Sequence, residues 1–256
     1  MIKLYINEEI NVSTHTQAEQ LLKSNNDLIF YNEEEFGIHR VTQERWKKAQ
    51  IYEKKTWMTN LDINTINWNY EHLERFEKLD SIKGLDFGNH NVIELGCGPF
   101  TNLRLFGDIL KPKKITLLDP LINEYLNHPN CTYKNFTLNG IDTQTIHSPI
   151  ENLDLSEKFD VVIMINVLEH CFDVDLIFNK IESILSDGGL FIFGDVYFDD
   201  VKELATNIYD AGHPIRLSTN KLEKFINKFE KKFEKRYHQL HSQEWRNDIY
   251  FIGKKI

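Results

Sequence analysis

Apolar and polar positions follow different rhythms in different parts of this 256-residue chain. Ile2, Leu4 and Ile6 alternate with Lys3 and Tyr5, a two-residue period that suits a short strand. Thr16–Lys23 suits a short helix, and the acidic stretch Phe30–Gly37 reads as loop. From Thr42 to Trp57 the period lengthens to that of a helix, with Thr42 as its N-cap. A second helix is expected over 70–79, burying Leu73, Phe76 and Leu79, with Trp68 and Tyr70 as packing residues. From Asn91 onward short apolar runs alternate with helical stretches. Strands are expected over 91–95, 114–118, 143–148, 159–166 and 189–195, with helices over 101–110, 121–128, 174–185, 200–210 and 219–229. Two closing strands cover 232–240 and 247–254, while 131–141 stays open between an extra strand and a loop. Strands alternating with helices imply an α/β fold, a seven-stranded, mainly parallel, doubly wound sheet covered on both faces. The division expected is a helical N-terminal extension with lid helices, residues 1–88, and a ligand-binding domain, residues 89–256.

The chemistry concentrates where the first core strand ends. Val92–Leu95 runs into a turn with Gly96 and Gly98, and a helical segment follows at once. Glycines belong where backbone must approach a ligand, because a Cβ blocks the approach or forbids the dihedrals. The free N–H groups of a helix start suit a carboxylate or phosphate. Glu94 stands just before the glycines, and no third glycine follows at the spacing of a pyrophosphate turn. Lys114–Asp119 is a second apolar strand closed by an acid, about 20 residues on, where α/β nucleotide sites place a ribose-binding carboxylate.

Glu94-Leu95-Gly96-Cys97-Gly98-Pro99 resembles the first motif of class I S-adenosylmethionine-dependent methyltransferases. Lys114–Asp119, Phe159–His170 and Leu185–Phe193 are similar to that family's later motifs, in the same order. The resemblance covers about residues 92–256 and implies a Rossmann-like methyltransferase fold closed by an antiparallel strand pair. It implies S-adenosyl-L-methionine as cofactor, with Gly96, Cys97 and Gly98 along its methionine part and Glu94 bonding nearby groups or the amino end. Asp119 would accept bonds from the ribose hydroxyls, or cap the next helix, or both. Pro120 and Ile150 would enclose the adenine, with Glu151 beside them. Many relatives carry an acid where Pro149 stands, so adenine recognition here would rest on Ile150 backbone and apolar contact. Asn166, ending the fourth strand, would face the methionine end.

Trp46, Gln50, Glu53 and Trp57 fall at i, i+4, i+7 and i+11 and share one helical face. That face suits a lid over the site, with two hydrogen-bonding groups between the tryptophans, or equally two tryptophans packed on the domain. Methyl transfer to a hydroxyl needs a base. Glu169 and His170 just past the fourth strand, and His213 in a loop after the fifth, are the candidates, each with a loop-holding role as the alternative. Glu-His plus a later His also resembles the Mg²⁺ site of ubiquinone-pathway O-methyltransferases and small-RNA 2′-O-methyltransferases. Those enzymes have an acid where Asn166 stands, so no metal is assigned. Tyr197 and Arg216 are secondary candidates for acceptor contact, the arginine for a phosphate or carboxylate.

Charge and cysteine usage narrow the acceptor and the compartment. With 30 basic against 39 acidic residues the chain carries −9, which argues against unspecific nucleic-acid binding. Its three cysteines form no paired framework, the N-terminus turns acidic too early for a signal peptide, and no apolar run reaches the ~20 residues of a membrane span. A soluble, cytoplasmic enzyme methylating a small molecule is expected, with a slight preference for a sugar or nucleotide-sugar hydroxyl. RNA or protein methylation would need a basic patch from Lys231, Lys232 and Lys235 beside the site. A non-catalytic cofactor-binding subunit is the alternative outside enzymology, and nothing in the chain speaks to oligomeric state.

Overall fold

A computed structural model describes residues 2–6, 8–12, 29–31, 37–59, 66–84, 90–199, 211–241 and 244–256. The expected helices over 16–23 and 200–210, most of the 30–37 loop and the domain boundary near 88 lie outside these residues. Two short antiparallel hairpins stand at the start: β1 (Ile2–Ile6) with β2 (Glu8–Val12), and β3 (Ile29–Tyr31) with β4 (Ile38–Val41). Helices α1 (Gln43–Thr59) and α2 (Ile66–Arg75) follow. Thr42 caps α1, its Oγ1 accepting from Arg45 N at 3.2 Å.

The central sheet holds β5 (Asn91–Leu95), β6 (Lys114–Leu118), β7 (Thr137–Leu138), β8 (Ile141–Ile146), β9 (Phe159–Ile165), β10 (Leu185–Tyr197), β11 (Phe229–His241) and β12 (Glu244–Lys255). Its order is β11-β12-β10-β9-β5-β6-β8-β7, parallel from β10 to β8 and antiparallel at both edges. It has eight strands rather than seven. The extra one, β7, pairs with β8 across the turn Asn139-Gly140, whose φ values of 52° and 79° are those of a tight hairpin. That turn moves the third core strand to 141–146 and leaves 132–135 as turns. From β5 the chain winds outward through β6 and β8, then returns to place β9 on the other side of β5. The carboxyl ends of β5 and β9 therefore flank the switch point where such sheets bind ligands.

Both faces of the sheet are buried. Along β9, Val161, Ile163 and Ile165 join one core cluster, and Val162 and Met164 join the other. A strand buried on both sides needs an unbroken apolar run, which β9 has from Val161 to Ile165. Helices α5 (Val174–Ile184) and α6 (Thr219–Ile226) cover one face; α3 (Leu103–Leu110) covers the other with Phe76 and Leu79. The short α4 (Ile122–Tyr125) follows β6.

Helix α2 starts earlier than its pattern indicated and ends at Arg75, because Glu77, Lys78 and Leu79 take positive φ of 50–59°. Its inward side carries Asn69 and Leu73, with Phe76 just past its end, so Trp68 and Tyr70, expected to pack, stay 47% and 52% exposed.

Candidate active site

The turn after β5 is fixed by two glycines for different reasons. Gly96 has φ 71°, and a Cβ there would lie 2.4 Å from Val167 Cγ1. Gly98 has φ 56°, and a Cβ there would meet nothing within 4 Å. Gly96 N and Cys97 N both donate to Leu118 O, at 2.7 and 3.1 Å, which ties the turn to the end of β6. The cleft above it is lined by both glycines, Cys97, Asp119, Pro120, Ile150, Glu151 and Asn166. Its empty volume is about 890 Å³ counted out to its open mouth.

Glu94 does not line that cleft. Its carboxylate accepts from Thr101 Oγ1, Asn102 N (2.9 Å), Asn102 Nδ2 (3.1 Å) and Leu103 N (3.2 Å), and so satisfies the N–H groups that α3 leaves unpaired at its start. Burial raises its pKa, and these bonds oppose the rise. Asn69 extends the network, donating from Nδ2 to Asn102 Oδ1 (2.8 Å) and Phe100 O (3.0 Å). Cys97 is buried, and burial pushes its thiol well up.

Asp119 spans the cleft floor. Leu121 N donates to Oδ1 at 2.8 Å and Gly98 N donates to Oδ2 at 3.0 Å. Burial, helped by the charges of Glu53 and Glu124, raises its pKa to about 7. Among the described residues no cation pairs with it, so two of its four lone-pair directions stay available to hydroxyl donors. Glu151 is engaged elsewhere, accepting from Phe172 N (2.6 Å) and Asp173 N (3.1 Å), and burial raises its pKa also to about 7. Asn166 is held at φ 58° with its N–H on Gly194 O, and it faces both this cleft and a second cavity.

That second cavity shares Glu53, Trp57, Trp68, His72, Asn166 and His170 with the first and adds Glu169, Asp195 and His213. The marked face of α1 covers the junction. Trp46 Nε1 and Gln50 Nε2 each donate to His170 O at 3.1 Å, and Trp57 Nε1 donates to Glu53. Glu53 Oε2 lies 3.5 Å from His170 Nδ1, which is 3.1 Å from Gly212 O. His213 Nε2 lies 3.5 Å from Glu169 Oε1, and the two histidine rings are 4.4 Å apart between centroids. Burial pushes the Glu169 carboxyl up, but the charges of His213, His170, Arg246 and Arg216 outweigh it and hold the pKa below its ordinary value. The ligand atoms of Glu169, His170 and His213 all lie within 4.8 Å of one another, a donor set of the kind that takes a divalent cation.

Two expected contacts fall outside both cavities. Arg216 is 3% exposed and donates to His213 O (2.5 Å) and Ile215 O (2.8 Å), so it braces the loop that carries His213. Tyr197 is buried with its ring under the Arg236 guanidinium, 5.3 Å away.

In their place stand residues the sequence did not mark: Trp68 and His72 at the junction, and Asp195, Arg75, Arg246, Asp248 and Tyr250 in the second cavity. Asp195 accepts from Val167 N (3.0 Å), Leu168 N (2.7 Å) and Val196 N (2.8 Å), and burial and Glu169 raise its pKa to about 7. It ends the strand expected over 189–195, much as Asp119 follows the strand expected over 114–118.

A family of methyltransferase domains matches residues 68–237, about two thirds of the chain. The chain belongs to the class I S-adenosylmethionine-dependent methyltransferases. No curated protein matches it in sequence. Among solved structures, the N-methyltransferase NodS from Bradyrhizobium japonicum WM9, in complex with S-adenosylhomocysteine, superposes with TM-score 0.56 at 14% identity, over 81% of this chain and 98% of that one. The 1,6-didemethyltoxoflavin-N1-methyltransferase of Burkholderia thailandensis gives TM-score 0.54 at 12% identity, over 90% and 99%. StiE O-MT gives 0.51 at 15% identity, over 75% and 81%. At such identities these structures share the fold alone. For this methyltransferase the glycine turn, the empty space at the Gly98 Cβ position and the Asp119 carboxylate fit a nucleoside amino acid such as its methyl donor.

Proposed function

We propose that this methyltransferase moves a methyl group to an oxygen of a small molecule seated in the second cavity, with a sugar hydroxyl as the preferred acceptor. One observation carries the reading: the two cavities meet at Asn166, His170 and Glu53, and the Glu169–His213 pair stands in the second. S-adenosylmethionine, when bound, supplies an electrophilic methyl on a sulfonium. Gly96 and Gly98 give its methionine part room, Asp119 takes the ribose hydroxyls, and Pro120 and Ile150 enclose the adenine. The Glu169 carboxylate, ionised at neutral pH, steadies a positive charge on His213, so the pair takes the proton that the acceptor hydroxyl loses. Helices α1 and α2, from the N-terminal extension, exclude water from the junction with Trp46, Gln50 and Trp57. Aromatic rings beside carboxylates and guanidiniums, as in this cavity, suit a polyhydroxylated ring.

Ion pairs support a small acceptor over RNA or an acidic protein. Lys231, Lys232 and Lys235 are paired with Glu234, Glu230 and Glu77, so that strip of β11 offers no basic surplus. No described helix is long and apolar enough to cross a membrane, and the cysteines are unpaired, which supports a reducing, cytoplasmic setting. The test is incubation with methyl-labelled S-adenosylmethionine and fractionated cell extract, small-molecule, RNA and protein fractions alike, with mass identification of the labelled product. Label in an O-methyl sugar is the expected result. Label in RNA or protein overturns the proposal, and tight cofactor binding without turnover on any fraction points to a non-catalytic subunit.

A further inference from the structure

Two polar side chains on α2 end in atoms that the fold leaves unused. Asn69 and His72 stand three residues apart, so they share one face of the helix, and both line the cleft over the glycine turn. The Asn69 amide cannot be turned round. Its Nδ2 donates to Phe100 O at 3.0 Å, an oxygen that only accepts, and to Asn102 Oδ1 at 2.8 Å. Asn102 is fixed in turn, since its Nδ2 donates to Glu94 Oε1 at 3.1 Å. Both amide protons of Asn69 are thus spent, while its Oδ1 accepts from no group among the described residues.

The His72 ring is oriented from the other side. Arg75 Nη1 lies 3.2 Å from Tyr250 OH and, as part of a guanidinium, can only donate to it. The phenol's own proton then has His72 Nδ1, 2.9 Å away, as its partner. With Nδ1 accepting, the ring proton sits on Nε2, which donates to no group among the described residues. Burial, then the charges of Arg75 and Arg246, hold the His72 pKa down to about 4, so the ring is neutral at ordinary pH. Neither Asn69 Oδ1 nor His72 Nε2 is sealed from solvent. An amide oxygen and an imidazole N–H held side by side at a cleft wall are one acceptor and one donor ready for a ligand.

The surrounding charges select the ligand. Glu53 lines both cavities, Glu71 lines the second, and Asp119 and Glu151 line the cleft, so a bare anion would be repelled. Trp57 and Trp68 also line both, with ring centroids 5.9 Å apart, and aromatic faces among carboxylates suit a cation. An amino acid carrying a sulfonium meets these terms, because its one carboxylate arrives with two positive groups and needs only a neutral donor. We propose that Asn69 and His72 read the amino-acid end of the methyl donor, Asn69 Oδ1 accepting from its ammonium and His72 Nε2–H donating to its carboxylate. This rests on the methyl-transfer reading of the cleft. It makes α2, which precedes the sheet in the chain, a wall of the donor site, and it connects Glu94 to the donor through Asn102 and Asn69.

The experiment is calorimetry on the full chain with three ligands: S-adenosylhomocysteine, its decarboxylated analogue and its deaminated analogue. The parent protein should bind each analogue roughly tenfold or more weakly, as loss of a charged hydrogen bond does. In H72F the carboxylate has no partner left, so removing it should cost about twofold at most, while removing the amino group still costs about tenfold. N69A should show the opposite pattern. A substitution that only loosened α2 would weaken all three ligands alike and keep the parent's ratios, and that result overturns the proposal. Equal binding of all three ligands by the parent protein overturns it without any variant. Failure of the parent protein to bind S-adenosylhomocysteine overturns the cleft reading beneath it instead.

Discussion

Replacing Asp119 by asparagine should weaken the cofactor complex and, at alkaline pH, strengthen the fold. The wild-type carboxyl has its pKa raised from 3.8 to about 7, first by burial. Holding it ionised in the fold therefore costs on the order of 4 kcal/mol at pH 8, taking 1.36 kcal/mol per pKa unit. At pH 5 the folded carboxyl is protonated, and the linked cost falls to roughly 2 kcal/mol. The sign follows from the raised folded value: stability from this group is fully present below the unfolded pKa and is lost as pH rises through about 7. Asparagine keeps one acceptor oxygen for Leu121 N or Gly98 N and gives up the other, at about 1–2 kcal/mol. The variant should thus match wild type near pH 5 and exceed it by about 2 kcal/mol near pH 8. Urea unfolding at both pH values measures this. Calorimetry with S-adenosylhomocysteine should show an affinity loss of about 2–3 kcal/mol, because the ribose loses a charged acceptor. An unchanged dissociation constant, or a variant equally destabilised at both pH values, refutes the reasoning.

Glu94→Ala should cost about 3 kcal/mol in urea unfolding, because it strips the start of α3 of its partners; a loss below about 1 kcal/mol would mean that water replaces the carboxylate. Gly98→Ala should cost about 1–2 kcal/mol of left-handed backbone strain yet weaken S-adenosylhomocysteine far more, since the methyl enters the cleft; unimpaired binding would remove the turn from the site. Glu169→Gln should lower turnover about 100-fold with the acceptor fraction that wild type methylates, leaving cofactor affinity alone; turnover within about threefold would exclude it from proton transfer. Asp119, Glu151 and Asp195 all have pKa values raised to about 7, so wild type should melt at a lower temperature near pH 8 than near pH 6 by scanning calorimetry, and the reverse order would contradict their burial.

Local chemistry alone made the parallel strands, the glycine turn and the strand-closing Asp119 legible. An apolar run buried on both faces, a positive-φ glycine and an acid at a strand end each leave a mark within a few residues. The Asn139-Gly140 hairpin carried such a mark as well, and it resolves the stretch left open between strand and loop. Glu94 is a subtler case. Its position beside the glycines was clear, but whether it faced the ligand or the start of α3 depended on where Thr101, Asn102 and Leu103 came to rest.

The sequence by itself determined the fold class, the cofactor turn and the helical face of α1, because hydrophobic period and turn chemistry act between near neighbours. Only the tertiary structure decided the second cavity. Arg75 and Arg246 are separated by most of the chain and meet because β12 inserts beside β10 while α2 packs over that edge. Arg216, which looked suited to an anion, was drawn inward to the carbonyls of its own loop. Whether an arginine serves a ligand or a backbone is settled by which unpaired acceptors folding leaves within its reach, and spacing along the chain does not encode that.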